Sequence, residues 1–470
     1  MSTLLAGTWG VMLLVRRGDG LMTAAYDLGF FQQLVWRIGQ DGQWVTSFAN
    51  GSFLGLHFSP ILWVWAMLER GLWSDARLLS VVHALSLATL IPTVFLFLRA
   101  ALRPSRLAPV IAAGLAVAVP FWAVNQQVLQ SDFHPELLGV ALAIAAGWAG
   151  LSGRTALMWA LGLAALTTRE DVSYAVVVIG LAVWALGRGS RARRRGMMLA
   201  GVGGVWAVVV FAVVMPYFRG DAVVDTASYY AWLGSGPGIL VAPLTRGAQI
   251  VAALTREGSW FVVTGLIIGL AGLPLLGGRW LLLLAPPLAA SLLSAHEPQP
   301  SLLLQYPIIL LTPAIVAAAM GIRRVLRLMG RRARTAERAW PAILVGLALP
   351  AFVVAGVQAS APPFEQLGWA RFSRPAEIDA LRSVAAMVPA DALLIVDEGS
   401  LAPLANRHRI AVVTWPRPIP FDAYILVDRE AWSPSRWAVA RRDVVLRRLF
   451  GEHRPSLADD GRFTLLGPRR

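Results

Sequence analysis

The sequence predicts an all-α polytopic membrane bundle of about eleven transmembrane helices, with helices lying along its outer surface and a small C-terminal α/β domain. Three observations predict it. The 470 residues are 57% hydrophobic and only 15% charged, with a mean hydropathy of +0.61, too apolar for a soluble chain of this length. Apolar runs of membrane-spanning length recur through the first three quarters of the chain. After Pro362-Pro363 the pattern changes to alternating helix and strand.

The spans are read in order at 77–98, 107–124, 136–152, 172–187, 197–215, 260–276, 280–295, 302–320 and 340–358, with two shorter runs at 3–16 and 155–168. As a helix the run 155–168 reaches only about 21 Å, so it is expected to tilt, kink or bury against neighbours. The first run, Leu4 to Val15, precedes Arg16-Arg17 without a small-residue cleavage site and is read as a retained first helix, not a signal peptide.

Orientation follows from the basic residues, all of which are arginine. The segments Arg99–Arg106, Arg188–Arg195 and Arg323–Arg338 become cytoplasmic together. Residues 17–75, 125–135, 169–171, 216–259 and 296–301 then face outside, as does the C-terminal tail. A net charge of +15 in this setting signals orientation and anionic headgroups rather than nucleic acid. The chain is expected in the bacterial cytoplasmic membrane, with residues 1–358 as membrane domain and 359–470 as extracytoplasmic domain.

The first outer loop, 17–75, shows amphipathic helical spacing at Tyr26–Ile38 and Phe58–Leu68, with Trp36, Trp63 and Trp65 suited to an interface. Tyr217–Ser259 carries Tyr229, Tyr230 and Trp232 before the turn-rich 234–238, a hinge or lid candidate. In the C-terminal domain a helix is expected over 375–387 and strands at 392–396, 410–414 and 423–427. Its polar groupings Asp397-Glu398, Asn406-Arg407 and Asp428 are explained by turns and caps.

Ionisable residues beside a bilayer are costly, and here they gather in short clusters that the topology sends to one side. Asp27, in Tyr26-Asp27-Leu28-Gly29, either caps the first surface helix or is a carboxylate held at the boundary as general base or metal ligand. In Asp132-Phe133-His134-Pro135-Glu136, three ligand types at alternate positions suit a divalent cation (Mg or Mn) or an oriented imidazole. The alternative is a helix start at Pro135-Glu136, which does not need His134. Arg169-Glu170-Asp171 sits between apolar runs with almost no loop, so the arginine either pairs locally or clamps a phosphate. In His57-Phe58-Ser59-Pro60, Ser59 and Pro60 start a helix and His57 has no local structural job. Tyr306-Pro307 and Pro313 are placed to kink a late span around a cavity. Zero cysteine excludes thiolate chemistry, and no P-loop, dinucleotide fingerprint, nucleophile elbow or HExxH helix is present.

On these pieces the chain resembles a family of prokaryotic polytopic membrane proteins designated domain of unknown function 2079. The matching segments are Tyr26 to Gln33, His57 to Pro60, Asp132 to Glu136, Glu170-Asp171 and Tyr306 to Pro313. Arg169 stands where that family often has lysine. More distantly, the layout looks like GT-C glycosyltransferases: an acidic residue in a long first outer loop, surface helices over a bundle and a C-terminal outer domain. That resemblance implies transfer of a sugar from a polyprenyl-phosphate-linked donor to an extracytoplasmic acceptor. Asp27 and Glu170 would then be catalytic, with Tyr26, His57, Arg169, Asp171 and Tyr306 binding substrate and Asp132, His134 and Glu136 as candidate metal ligands. A transporter or flippase of a lipid-linked or polar solute, using the same charges, is the main alternative. A noncatalytic envelope-assembly protein is the third, and predicts Asp27, Asp132 and Glu170 scattered as local caps.

Overall fold

A computed structural model describes residues 2–48, 51–219, 226–234, 238–256, 258–296, 299–329, 339–359, 375–414, 418–431, 436–452 and 454–469. Among them, six helices are long and apolar enough to cross a membrane: Arg77–Ala101, Ala108–Gln130, Gly189–Arg219, Leu273–Leu292, Tyr306–Met329 and Trp340–Val357. The pair Gly247–Leu254 and Ser259–Gly269, bent by 53°, adds a seventh if it is one broken span. Glu136–Leu151, Thr155–Leu166 and Val172–Leu186 are apolar but shorter, and Ser2–Asp19 precedes them all. The eleven expected runs therefore all fall on helices, but fewer reach full spanning length. The short run at 155–168 is indeed a helix of 12 residues.

Prolines interrupt even helices of spanning length. Pro120 turns the chain at Val119–Phe121, and Tyr306-Pro307 opens its span as a 3-10 turn, Tyr306–Leu310, before the α-helix Leu311–Met329. Close helix crossings rest on small residues. A Cβ on Gly180 would lie 2.4 Å from the Ala200 nitrogen, and one on Gly196 would lie 2.4 Å from that of Trp184. Only glycine lets Val172–Leu186 and Gly189–Val209 approach so closely. The bundle core they help enclose is aliphatic, with Phe97 and Trp122 fully buried within it.

The first loop packs an apolar face against the C-terminal region. Its chain makes a π-turn at Ala25–Gly29 and runs into the helix Phe30–Asp41, which ends on Gly42 in the left-handed conformation (φ 67°). The second helix covers Leu62–Gly71, and Ser59 does not cap it: Ser52 caps the short helix Phe53–Leu56 instead. Phe31, Leu34, Val35 and Ile38 share one hydrophobic core with Leu381, Leu401, Ile410 and Phe463 of the C-terminal region. Trp36, expected at a membrane interface, meets His408 edge-on at 4.9 Å.

The C-terminal region holds a five-stranded sheet of β1 (Leu394–Val396), β2 (Ile410–Val412), β3 (Tyr424–Asp428), β4 (Ser456–Asp459) and β5 (Phe463–Leu466), in the order β2-β1-β3-β5-β4. β1 is parallel to β2 and β3, and β5 antiparallel to β3 and β4. The three expected strands are the parallel ones. The helix Pro375–Ala385 lies where expected, while Pro362-Pro363 falls outside the described residues. The cap reading of Asp397 and Asp428 gives way to ion pairs. Asp397 holds Arg442 at 2.6 Å, and Asp428 takes both arms of the Arg462 fork at 2.8 and 2.9 Å while also turning its own loop through the Glu430 N–H.

Candidate functional site

The loops at one end of the bundle bring the ionisable clusters together, and two linked constellations result. The first surrounds Asp27. Asp27 does not cap a helix: the π-turn starts at Ala24 without a side-chain cap, and the amide of Ala24 is bound by Asp132 at 2.7 Å from a different loop. This leaves the Asp27 carboxyl facing His134, with Oδ1 3.6 Å from Nε2. Burial, reinforced by Asp132, pushes the Asp27 carboxyl up to about 8. Burial and the nearby Arg169 charge lower His134 to about 3, so its imidazole is neutral at physiological pH. A neutral His134 beside a reluctant carboxylate leaves one proton to the pair, carried by Asp27 below about pH 8.

The backbone behind this pair is held by groups that carry no motif. Arg17 spans the gap from the first helix, donating to Met22 O (2.9 Å) and Gln130 O (2.5 Å) and lying 3.6 Å from Asp132 Oδ1. His83, buried in the span Arg77–Ala101, touches Val128 O through Nε2 and accepts the His134 amide on Nδ1. Sequence reading missed both, because a single polar residue inside or beside an apolar run has no spacing to mark it. The ring of His134 is set edge-on to Phe31 at 5.7 Å.

The second constellation surrounds Arg169. Its guanidinium is bound by Glu136 and lies 3.7 Å from Glu170 and 3.6 Å from Asp171. Glu170 in turn receives His57 Nδ1 at 2.7 Å and the Phe58 amide at 2.9 Å. Burial opposes its charge, but His57, Arg169 and the Phe58 N–H outweigh it and hold the Glu170 carboxyl down to about 2. Asp171 goes the other way, raised to about 6 by burial and by Glu170 and Glu136. Three carboxylates around one arginine make this a local ion-pair cluster, so a phosphate would meet a guanidinium already engaged.

This second constellation forms the polar end of a cavity of about 720 Å³. His57, Arg169, Glu170, Asp171 and Tyr306, all singled out from the sequence, line it. So do Tyr229 and Tyr230 of the lid candidate, with Tyr229 stacked on His296 at 4.5 Å; Ser235-Gly236-Pro237 of the hinge lies outside the described residues. The remaining walls are mainly apolar, from Leu56, Val177, Phe211, Pro286 and Ile309. His296 and Gln299 also line the cavity and had no signal in the sequence beyond their place in a short loop.

Two expectations are corrected. Tyr26 does not line the cavity. Adjacent residues of a helical turn diverge, and with Asp27 turned inward Tyr26 is 45% exposed and meets Phe48 edge-on at 6.2 Å. Asp132, His134 and Glu136 do not converge as a ligand set, since they face Arg17, Asp27 and Arg169 respectively. Their alternate spacing fails because the chain leaves the extended conformation at Pro135 (φ −69°, ψ −26°) to start the helix Glu136–Leu151. Among the described residues no three metal-ligating side chains lie together. Asp27 and His134 supply two donors at most, which does not fit a divalent ion held by protein alone.

Fold and site together define a multi-pass membrane protein with a charged chamber at one end of its helix bundle. The chain belongs to the family described as predicted membrane protein (DUF2079), whose sequence profile matches residues 17–445. No functionally curated protein matches it. Among solved structures it is similar to ArnT from Cupriavidus metallidurans bound to undecaprenyl phosphate, at 14% identity and TM-score 0.49 over 99% of this chain and 97% of that one. It is also similar to the Archaeoglobus fulgidus oligosaccharyltransferase in the apo form, at 12% identity and TM-score 0.48 over 93% of this chain and 70% of that one.

Proposed function

We propose that the protein is an integral-membrane glycosyltransferase that moves a sugar from a polyprenyl-phosphate-linked donor to an acceptor hydroxyl, with Asp27 as general base. The observation that carries this reading is the Asp27–His134 pair: a carboxylate freed from capping, with a proton affinity matched to proton transfer near neutral pH. In the transfer, the acceptor oxygen forms the new bond to the anomeric carbon and gives its proton to Asp27. The bond from that carbon to the phosphate oxygen breaks, and the lipid phosphate leaves with the electron pair.

An amphiphilic donor suits the adjoining chamber, whose walls are apolar and whose end is charged. Glu170, kept ionised, acts as a positioning residue that fixes His57 and Arg169. No step is assigned to a metal. The transporter alternative expects a site at the bundle midplane, whereas these charges sit at helix ends, between 130 and 136 and between 166 and 172. The scaffold alternative expects scattered local caps. Asp132 and Glu170 instead hold partners 108 and 113 residues away.

The test is release of polyprenyl phosphate from a panel of polyprenyl-phosphate sugars by protein purified into lipid. Asp27→Asn is expected to lower turnover at least about 100-fold. An Asp27→Asn protein that is folded and turns over at the original rate rejects the assignment.

A further inference from the structure

At the opposite end of the late span from Tyr306, a second cavity of about 510 Å³ is lined by Arg279, Arg323, Arg324 and Arg327, with Trp280 and Met320 among its other walls. Among the described residues no aspartate or glutamate lines it. The arginines come from two elements, the segment Leu273–Leu284 and the helix Leu311–Met329. The elements are pressed together by glycines: a Cβ on Gly277 would lie 2.5 Å from Ala317 O, and one on Gly321 would lie 2.2 Å from Leu273 O. Gly278, at φ +62°, kinks the chain just before Arg279. Arg323 is pinned to the cavity wall by donation to Ala101 O at 2.9 Å.

Four like charges around one cavity repel unless an anion lies among them. Arginine forks match phosphate oxygens, and an indole among the walls suits the headgroup layer. We propose that this cavity is a binding site for the phosphate-bearing headgroup of an anionic membrane phospholipid. It lies roughly 25 Å along the helix axis from Tyr306, counted over residues 306–323, so it is separate from the chamber. The proposal does not depend on the transferase reading. The arginines at 191–195 make a natural comparison, since they sit in the first turns of Gly189–Val209 and line no described cavity.

The experiment is native mass spectrometry of the full chain released from vesicles of phosphatidylglycerol and phosphatidylcholine, with inorganic phosphate added in a second arm. The wild-type protein is expected to retain phosphatidylglycerol in preference to phosphatidylcholine. Arg279→Gln with Arg324→Gln should lower that retention about tenfold, and Arg193→Gln with Arg194→Gln should leave it within about twofold. Arg279→Lys with Arg324→Lys keeps charge and loses the fork, and is expected to fall between them; it also serves if the glutamine pair does not fold. Equal loss from the 193/194 pair, or equal retention of both lipids, overturns the proposal. Capture of inorganic phosphate in place of lipid, abolished by the glutamine pair, overturns the lipid assignment in favour of a soluble anion.

Discussion

Asp27 and Glu170 are carboxylates beside a histidine, the first partly and the second fully buried, yet their partners drive them apart. Glu170 collects donors and stays ionised down to about pH 2, while Asp27 has none among the described residues closer than His134 at 3.6 Å and keeps its proton to about 8. The base form of Asp27 therefore grows as pH rises, and transfer is expected to increase through about pH 8 and level off above it. Glu170→Gln should lower the rate but leave that limb where it is; a limb that moves with Glu170 would show that Asp27 is not the titrating base. Glu136 is nearly enclosed against Arg169, and Glu136→Ala leaves the guanidinium to Glu170 and Asp171. A loss of about 3 kcal/mol in unfolding free energy is expected, toward the lower end for a broken buried pair because two partners remain.

At the scale of elements, the π-turn that aims Asp27 is seated on the helix Glu398–Leu404. Leu401 is fully buried, and a Cβ on Gly29 would fall 2.5 Å from its Cδ2. Leu401→Ala should cost about 2–5 kcal/mol and slow transfer by loosening that turn, measured as a lowered Tm together with turnover. Helices were legible in the sequence because each apolar run had to be one, and so was their grouping at one end, because charges must leave the bilayer. Their true lengths were not: Pro307 marked a break, but nothing in the apolar runs marks how far Glu136–Leu151, Thr155–Leu166 and Val172–Leu186 extend. β4 and β5 escaped notice because Ser456–Asp459 is mostly exposed and polar, and gains strand form only by pairing with Phe463–Leu466. The metal reading of 132–136 failed for a related reason: spacing along one segment cannot reveal partners that arrive from Arg17, Asp27 and Arg169.

For the whole molecule, the ion-paired chamber and the C-terminal sheet lie at one end of the bundle and the arginine-lined cavity at the other. The arginine bias makes the chamber end extracytoplasmic by proposal. The absence of cysteine gives a silent background for testing it. A membrane-impermeant maleimide should label Asp391→Cys, exposed in the C-terminal domain, on intact cells, and Ser190→Cys only after permeabilisation. The reverse pattern would invert the molecule and place the chamber on the cytoplasmic side.

The seat of the first loop on the C-terminal domain also sets an order of assembly. A Cβ on Gly399 would meet Leu21 O at 1.8 Å, and Phe31, Leu34 and Ile38 bury against strands and helices nearly 400 residues later in the chain. During synthesis the spanning helices can insert as they emerge, but the segment bearing Asp27 has no lasting cover until β5 has been made. The seat of Asp27 is thus among the last parts of the protein to be completed, and a ribosome that stops short of residue 463 leaves a bundle in the membrane with its reactive carboxylate unplaced.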